Sequence, residues 1–165
     1  MREAATFDEF YLATRERTVH QMYAMLGDLG EAEDVTQEAY GRAWGQWAQV
    51  VRMGDPQAWV RTVAWRLAAN SLRHRRRAAR RLLLRVPVRP VAEPSVDNVA
   101  IVEALRRLPA DQRRAIVLHY LADLTLEQAA AETGASVSAV KSQLARGRAA
   151  LAALLNDDSS EERYV

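Results

Sequence analysis

The residues best equipped for chemistry are arginines interleaved with a tryptophan. Over Asp55–Arg77, DPQAWVRTVAWRLAANSLRHRRR, the side chains of Arg61, Thr62, Trp65, Arg66, Ala69, Arg73 and Arg76 each follow a neighbour by three or four residues. A helix puts such a series on one side. Guanidiniums track phosphates, and an outward indole offers a stacking surface of roughly 1–3 kcal/mol per base, so the pattern fits single-stranded nucleic acid. The alternative is a solvated Arg-rich face with Trp65 tucked under a loop.

The element that must position them is one long helix. Asp55 can cap it, and Pro56 suits a first position where no backbone N–H is needed. No Gly or Pro follows before about Arg77. Val60, Val63, Ala64 and Leu67 recur at helical spacing as its inward face.

A second constellation is TLEQAAAETGASVSAVKSQLARGRAAL. Two helices joined by a tight turn need a small residue where they cross, a glycine in the turn and an apolar lock on the second helix. Ala130, Gly134 and Val140 sit where those demands fall, with Leu126, Ala129, Leu144 and Leu151 completing the core. Thr125 and Gln128 have capping-box spacing, Gly134 suits positive φ, and Ser136 caps the next helix. That helix exposes Ser138, Lys141, Ser142, Ala145, Arg146 and Arg148. Its N-terminal half fits a major groove, with Lys141 toward base edges and Arg146 and Arg148 toward phosphates. The alternative is a plain helical hairpin.

Composition bounds the rest. A chain of 165 residues with 49% hydrophobic content makes one domain or two small ones. There is no cysteine, so disulfides and thiolate metal sites are excluded. His20, His74 and His119 are scattered without metal-ligand spacing. No nucleophile–base pair, phosphate loop or metal cluster is visible, so neither catalysis nor a cofactor is expected. No apolar run approaches the roughly 20 residues that span a bilayer, and MREAATFDEF lacks a signal-peptide stretch; a cytoplasmic protein is expected. The net charge of +2 understates the basic character, because Asp157, Asp158, Glu161 and Glu162 against Arg163 concentrate −3 in the tail. Lys141 is the only lysine.

In chain order, Thr6 and Glu9 have capping-box spacing before a helix with Phe7, Phe10, Tyr11, Ala13 or Thr14, Thr18 or Val19, Met22 and Met25 to Leu26 suited to a buried stripe. Gly27 and Gly30 break it. Glu31–Trp47 is the second helix. Its apolar face is Ala32, Val35, Ala39, Ala43 and Trp47, helped by Tyr40 and Trp44; Asp34, Gln37, Glu38 and Arg42 form a polar surface that periodicity reads as solvent-exposed. Ala48–Gly54 reads as a loop. Arg80–Ser95, with Pro87, Pro90 and Pro94, reads as a flexible linker, its Leu82–Leu84 run a sticky patch. Asp97 caps a helix with Val99, Val102, Leu105 and Leu108 periodic. Pro109 opens the next, with Ala110, Ile116, Val117, Tyr120 and Leu121 apolar. The last helix runs to about Leu155, before an acidic disordered tail over 156–165. The fold class expected is all-α: two small helical domains, 1–79 and 97–155, joined by a flexible linker over 80–96, the second a helix-turn-helix.

AEDVTQEAYGRAW followed by AWVRTVAWRLAANSLRHRRR, then ALRRLPADQRRAIVLHYLADLTLEQAAAETGASVSAVKSQLARGRAAL, resembles the sigma-70 family. More narrowly it looks like the short extracytoplasmic-function (ECF) group, which keeps only regions 2 and 4. The resemblance implies a promoter-specificity subunit of bacterial RNA polymerase. Asp34, Gln37 and Glu38, with Arg42, match the segment that binds the β′ clamp coiled coil, which reverses the solvent-exposure reading of this face. Gln49–Gln57 and Pro56–Arg77 match the part that captures a flipped base of the −10 element, through Arg61, Trp65, Arg66, Asn70, Arg73 and Arg76. Base flipping costs a few kcal/mol that a pocket must offset. Ser136–Leu155 matches the −35 reader, with Ser136, Ser138, Lys141, Ser142, Ala145, Arg146 and Arg148. The helices from Val99 to Leu121 would lie near the β flap. Many ECF members have an Arg-Asn pair and a later Asp where this chain has Trp65-Arg66 and Asn70, and a basic residue where Gln143 stands. An anti-sigma factor is a candidate partner. The competing reading is a stand-alone helix-turn-helix regulator without polymerase; a small hydrolase or signalling module is the remaining one.

Overall fold

The computed structural model describes residues 6–82 and 96–161. They form eight α-helices and one π-helical turn, with no strand among the described residues. They divide into two compact units, one within 1–91 and one within 92–165. No helix among the described residues is long and apolar enough to cross a membrane.

The first unit packs α1 (Phe7–Leu26), α2 (Leu29–Gly45), α3 (Trp47–Arg52) and α4 (Pro56–Leu82). α1 begins at a reciprocal capping box between Thr6 and Glu9 and ends at Gly27 in the left-handed region, φ 70°. Only this first glycine breaks the chain. Asp28 accepts from the Glu31 N–H and caps α2, so Gly30 lies inside α2. Asp28 is a better start signal than a glycine pair, and it was hidden between them. α2 stops at Gly45, and Trp47 opens α3, a short helix where a loop over 48–54 is expected.

The core consists of Val19, Met22, Met25, Leu26, Ala32, Ala39, Tyr40, Ala43, Val50, Val60, Ala64 and Ala68. Phe10, Tyr11, Tyr40 and Trp47 add an aromatic cluster with ring centroids 5.0–5.7 Å apart. Trp44, expected to help this face, is 69% exposed.

α4 continues through Leu82, past the expected end at Arg77 and into the segment read as linker. Arginines do not stop a helix, and this stretch has no Gly or Pro. The buried arc of α4 is Val60, Arg61, Ala64 and Ala68, with Val63 and Leu67 half-buried. It is turned toward Arg61 relative to the face periodicity suggests, because the small Ala64 and Ala68 admit neighbouring helices closely. At its C-terminal end the same arc presents Ser71 and Arg75. Ser71 donates to Glu31, and Arg75 pairs with Glu31 and with Asp28 at 3.7 Å. This ties α4 to the start of α2. Of the linker expected over 80–96, residues 83–95, with two leucines of its sticky run, lie outside the described residues.

The second unit packs α5 (Val96–Arg106), α6 (Ala110–Ile116), the π turn (Val117–Leu121), α7 (Leu126–Thr133) and α8 (Val137–Glu161). α5 starts at Val96, so Asp97 lies within its first turn rather than before it. The helix opened by Pro109 widens to i→i+5 bonding over Val117–Leu121. The extra residue in that turn rotates Tyr120 and Leu121, two of its apolar residues, outward, 51% and 38% exposed. Asp123 then takes φ 54°, a left-handed conformation that Asp tolerates. Val99, one of the periodic residues of α5, is exposed.

Leu118, Ala122, Ala129, Ala130 and Val140 form the core of the hairpin α7–α8, with Leu124, Leu126 and Ala135 against it. Thr125 and Gln128 make a reciprocal capping box, and Gly134 has φ 73°. Two devices go beyond the sequence reading. Gly147 lets α8 cross α6: a Cβ there would lie 2.9 Å from Ile116 Cδ1 and 3.2 Å from the Gln112 carbonyl. Arg113 is buried, and its Nη2 donates to the Arg106 and Leu108 carbonyls at 2.8 and 3.0 Å, closing the end of α5. α8 runs to Glu161, so 156–161 are helical rather than a disordered tail; 162–165 lie outside the described residues.

Candidate functional site

The candidate machinery occupies three surfaces. On α4, Arg66, Asn70, Arg73 and Arg76 are exposed and Trp65 is half-buried. Thr62 donates back to the Ala58 carbonyl at 2.9 Å, as a helical threonine does. Arg73 donates to Asn70, so the two form one polar unit. Arg77 and Arg80 extend the exposed basic stripe. Arg61 does not belong to it. It is only 6% exposed and lies on the inward arc, so it is not available to a phosphate. The signal that misleads is spacing: Arg61 precedes Trp65 by four residues but sits at the edge of the stripe, where the burial boundary decides.

The lead into α4 is shorter than the sequence reading has it. Because α3 extends to Arg52, the irregular segment is Met53–Asp55. Gly54 has φ 88°, a conformation that favours glycine. Asp55 accepts from the Ala58 N–H at 2.9 Å and caps α4. Met53 is 64% exposed beside this turn.

On α2, Asp34, Gln37, Glu38 and Arg42 are exposed along one face while Val35, Thr36, Ala39, Tyr40 and Ala43 are buried. Arg42 Nε donates to Glu38 Oε1 at 2.8 Å, and both side chains remain about half exposed. Trp44 stands seven residues after Gln37 and so joins the same face. Sequence reasoning misses it, because a tryptophan beside an apolar stripe reads as core.

Beneath that face lies a polar cluster in the core. The Tyr40 hydroxyl is 2.7 Å from Thr14 Oγ1 and 3.1 Å from Thr18 Oγ1. Gln57, in the first turn of α4, donates through Nε2 to Thr18 Oγ1 at 2.9 Å. Burial pushes the Tyr40 phenol above its ordinary value, against hydrogen bonds from Thr14, Thr18 and Gln57 that pull the other way.

In the second unit, Ser136 Oγ accepts from the Ala139 N–H at 3.1 Å and caps α8. Ser138, Lys141, Ser142, Ala145 and Arg146 are exposed along the following turns, and Val140 and Leu144 are buried. Arg148 is exposed and donates to the Tyr120 hydroxyl at 3.2 Å, so the π turn meets the edge of this face. No group of three or more acids and histidines that could hold a metal occurs among the described residues.

Comparison with known proteins places both units. The sigma-70 region 2 family matches residues 10–78, and the sigma-70 region 4 family matches 98–151. The chain is 30% identical over 150 residues to the ECF RNA polymerase sigma factor SigC of Mycobacterium tuberculosis, covering 88% of this chain and 81% of that one. It is 30% identical to the ECF sigma factor BldN of Streptomyces coelicolor over 95% of this chain and 63% of the relative. Among solved structures, the sigma factor RpoE from Bartonella quintana, crystallised with the anti-sigma factor NepR, matches with a TM-score of 0.76. That pair is 26% identical, over 91% of this chain and 96% of the other. CnrH, solved with the cytosolic domain of CnrY, matches in fold with a TM-score of 0.68 at 24% identity, over 92% of this chain and 88% of that one.

Proposed function

The chain belongs to the ECF group of the sigma-70 RNA polymerase sigma factors, and from that premise we propose how its residues divide the work. Such a factor binds core RNA polymerase, recognises the −35 and −10 promoter elements and promotes promoter melting. The family is one of non-catalytic initiation factors, so this chain acts by binding alone, in the cytoplasm where the polymerase works. The stand-alone regulator is set aside, since region 2 accompanies the helix-turn-helix.

Residues 6–82 dock the polymerase and hold the −10 strand. Asp34, Gln37, Glu38 and Arg42 receive the β′ coiled coil, with Trp44 as an aromatic anchor of the kind that concentrates binding energy. Met53–Asp55 and the Trp65–Arg66–Asn70–Arg73–Arg76 stripe hold the non-template strand, by stacking and by phosphate contact. Residues 96–155 read the −35 element. Ser138, Lys141, Ser142 and Ala145 face base edges, while Ser136, Arg146 and Arg148 take phosphates. α5 and α6 lie toward the β flap. The RpoE structure contains the anti-sigma factor NepR, and a partner of that class is proposed here too.

The observation that carries the reading is the split of α2. Its inward half is a sealed core, yet its outward half keeps two acids, an amide and a 69%-exposed tryptophan in one row. Nothing in the packing of this unit requires that row. Replacing Gln37 and Glu38 with Ala should weaken binding to core polymerase by about 1–3 kcal/mol and leave helical content unchanged. Unaltered affinity for core would refute the docking assignment.

A further inference from the structure

The polar cluster under α2 joins two surfaces that the proposed function uses separately. Thr14 Oγ1 donates to the Phe10 carbonyl at 2.6 Å, and Thr18 Oγ1 donates to the Thr14 carbonyl at 3.0 Å. Each threonine has a single hydroxyl proton, so both oxygens face the cluster as acceptors. Tyr40 therefore donates, its one proton shared between the Thr14 and Thr18 oxygens, and Gln57 Nε2 donates to Thr18. Tyr40 and Gln57 are thus both donors, and they meet on the Thr18 oxygen.

The amide is held at a cost. Gln57 Oε1 is buried and finds no partner. Turning the amide over would satisfy nothing, since it would set an oxygen against the Thr18 acceptor. Buried polar clusters of this kind specify one geometry rather than adding much stability. What they fix here is the start of α4. Gln57 is the second residue of that helix, two residues after Asp55 and three after Gly54. Tyr40 is 1% exposed on the inward side of α2, the helix that carries Gln37 and Glu38 on its outer side.

We propose that Tyr40 and Gln57 are positioning residues for strand capture, holding Met53–Asp55 and the first turn of α4 in fixed register with the polymerase-docking helix through Thr18. Docking on α2 thereby presents a preformed turn to the flipped base, and no ordering of that turn is left for the melting step. The inference rests on the division of labour proposed above.

The test uses the full chain with core polymerase on two templates, a duplex promoter and the same promoter pre-melted over the −10 element. Tyr40→Phe, Gln57→Met and the double variant are compared. Core affinity should stay at the parent value. The ratio of duplex to pre-melted transcription should fall by about three- to tenfold in either single variant, the scale of one net hydrogen bond. The double variant should fall no further, because both changes break one chain. Equal losses on both templates, additive losses or an unchanged ratio would each overturn the inference. Should Tyr40→Phe lose helical content, Gln57→Met alone decides, since Gln57 is half-buried at the edge of the core. Met53→Ala separates the two levels. If it too leaves the ratio unchanged, the strand-capture assignment has failed; if it lowers the ratio and Gln57→Met does not, only the positioning role has.

Discussion

Lys141 is the exposed cation of the first turns of α8, set among Ser138, Ser142 and Ala145 and ahead of Arg146 and Arg148. A cation flanked by small side chains can approach a base edge, so Lys141→Ala should cost roughly 1–3 kcal/mol and relax preference at one −35 position. A library of −35 variants read by in vitro transcription checks this; a uniform loss across the library would make Lys141 a phosphate contact. Tyr40 gives a prediction in pH. Its phenol is raised in the folded chain above the ordinary value of 10.0. The folded state therefore holds the proton where the unfolded state has lost it. The contribution to stability is complete below about pH 10 and is lost as pH rises through the folded value. Thermal melts between about pH 9 and about pH 11 should show a decline that Tyr40→Phe reduces.

Among the elements, α8 depends on Gly147 and α5 on Arg113. Valine at 147 would set a Cβ 2.9 Å from Ile116 and 3.2 Å from a carbonyl of α6 that cannot move alone. Gly147→Val should destabilise the second unit by about 1–3 kcal/mol, seen as lost hydrogen-exchange protection over 98–151. Arg113→Met would leave the Leu108 carbonyl buried without its donor, at a similar cost of about 1–3 kcal/mol. Neither residue stands out in the sequence, where Gly147 is one small residue among alanines and Arg113 one arginine of a pair. The capping boxes at Thr6 and Thr125 and the turn at Gly134 were legible because their chemistry is local. So was the exposure of Asp34, Gln37 and Glu38, which follows from helical period alone. Arg61 and Trp44 were not: each sits at the margin of an apolar stripe, and only the approach of neighbouring helices decides which way a margin falls. The cluster of Thr14, Thr18, Tyr40 and Gln57 was invisible for the same reason, its members lying up to 43 residues apart on three helices.

Over the whole molecule, the net charge of +2 conceals a division by place. Exposed arginines concentrate on α4, at Arg66, Arg73, Arg76, Arg77 and Arg80. On that distribution, promoter binding by the holoenzyme should weaken steeply with salt. Replacing Arg73 and Arg76 with Gln should reduce the slope of log affinity against log salt by about 1.4, if each neutralises one phosphate of a single strand. Titration of open complexes over a salt series measures it, and an unchanged slope would remove both residues from the strand path.

α8 is one uninterrupted helix from Val137 to Glu161. Lys141 and Asp157, both exposed, therefore stand about 24 Å apart along a single rod. At physiological ionic strength the Debye length is about 8 Å, so a charge at 157 is electrically silent at 141. The chain contains no cysteine. A thiol introduced at Asp157 would thus accept a single fluorophore at a fixed span from the promoter-reading turns, without disturbing their field. The helix is a ready-made molecular ruler for following the second unit as it meets and leaves DNA.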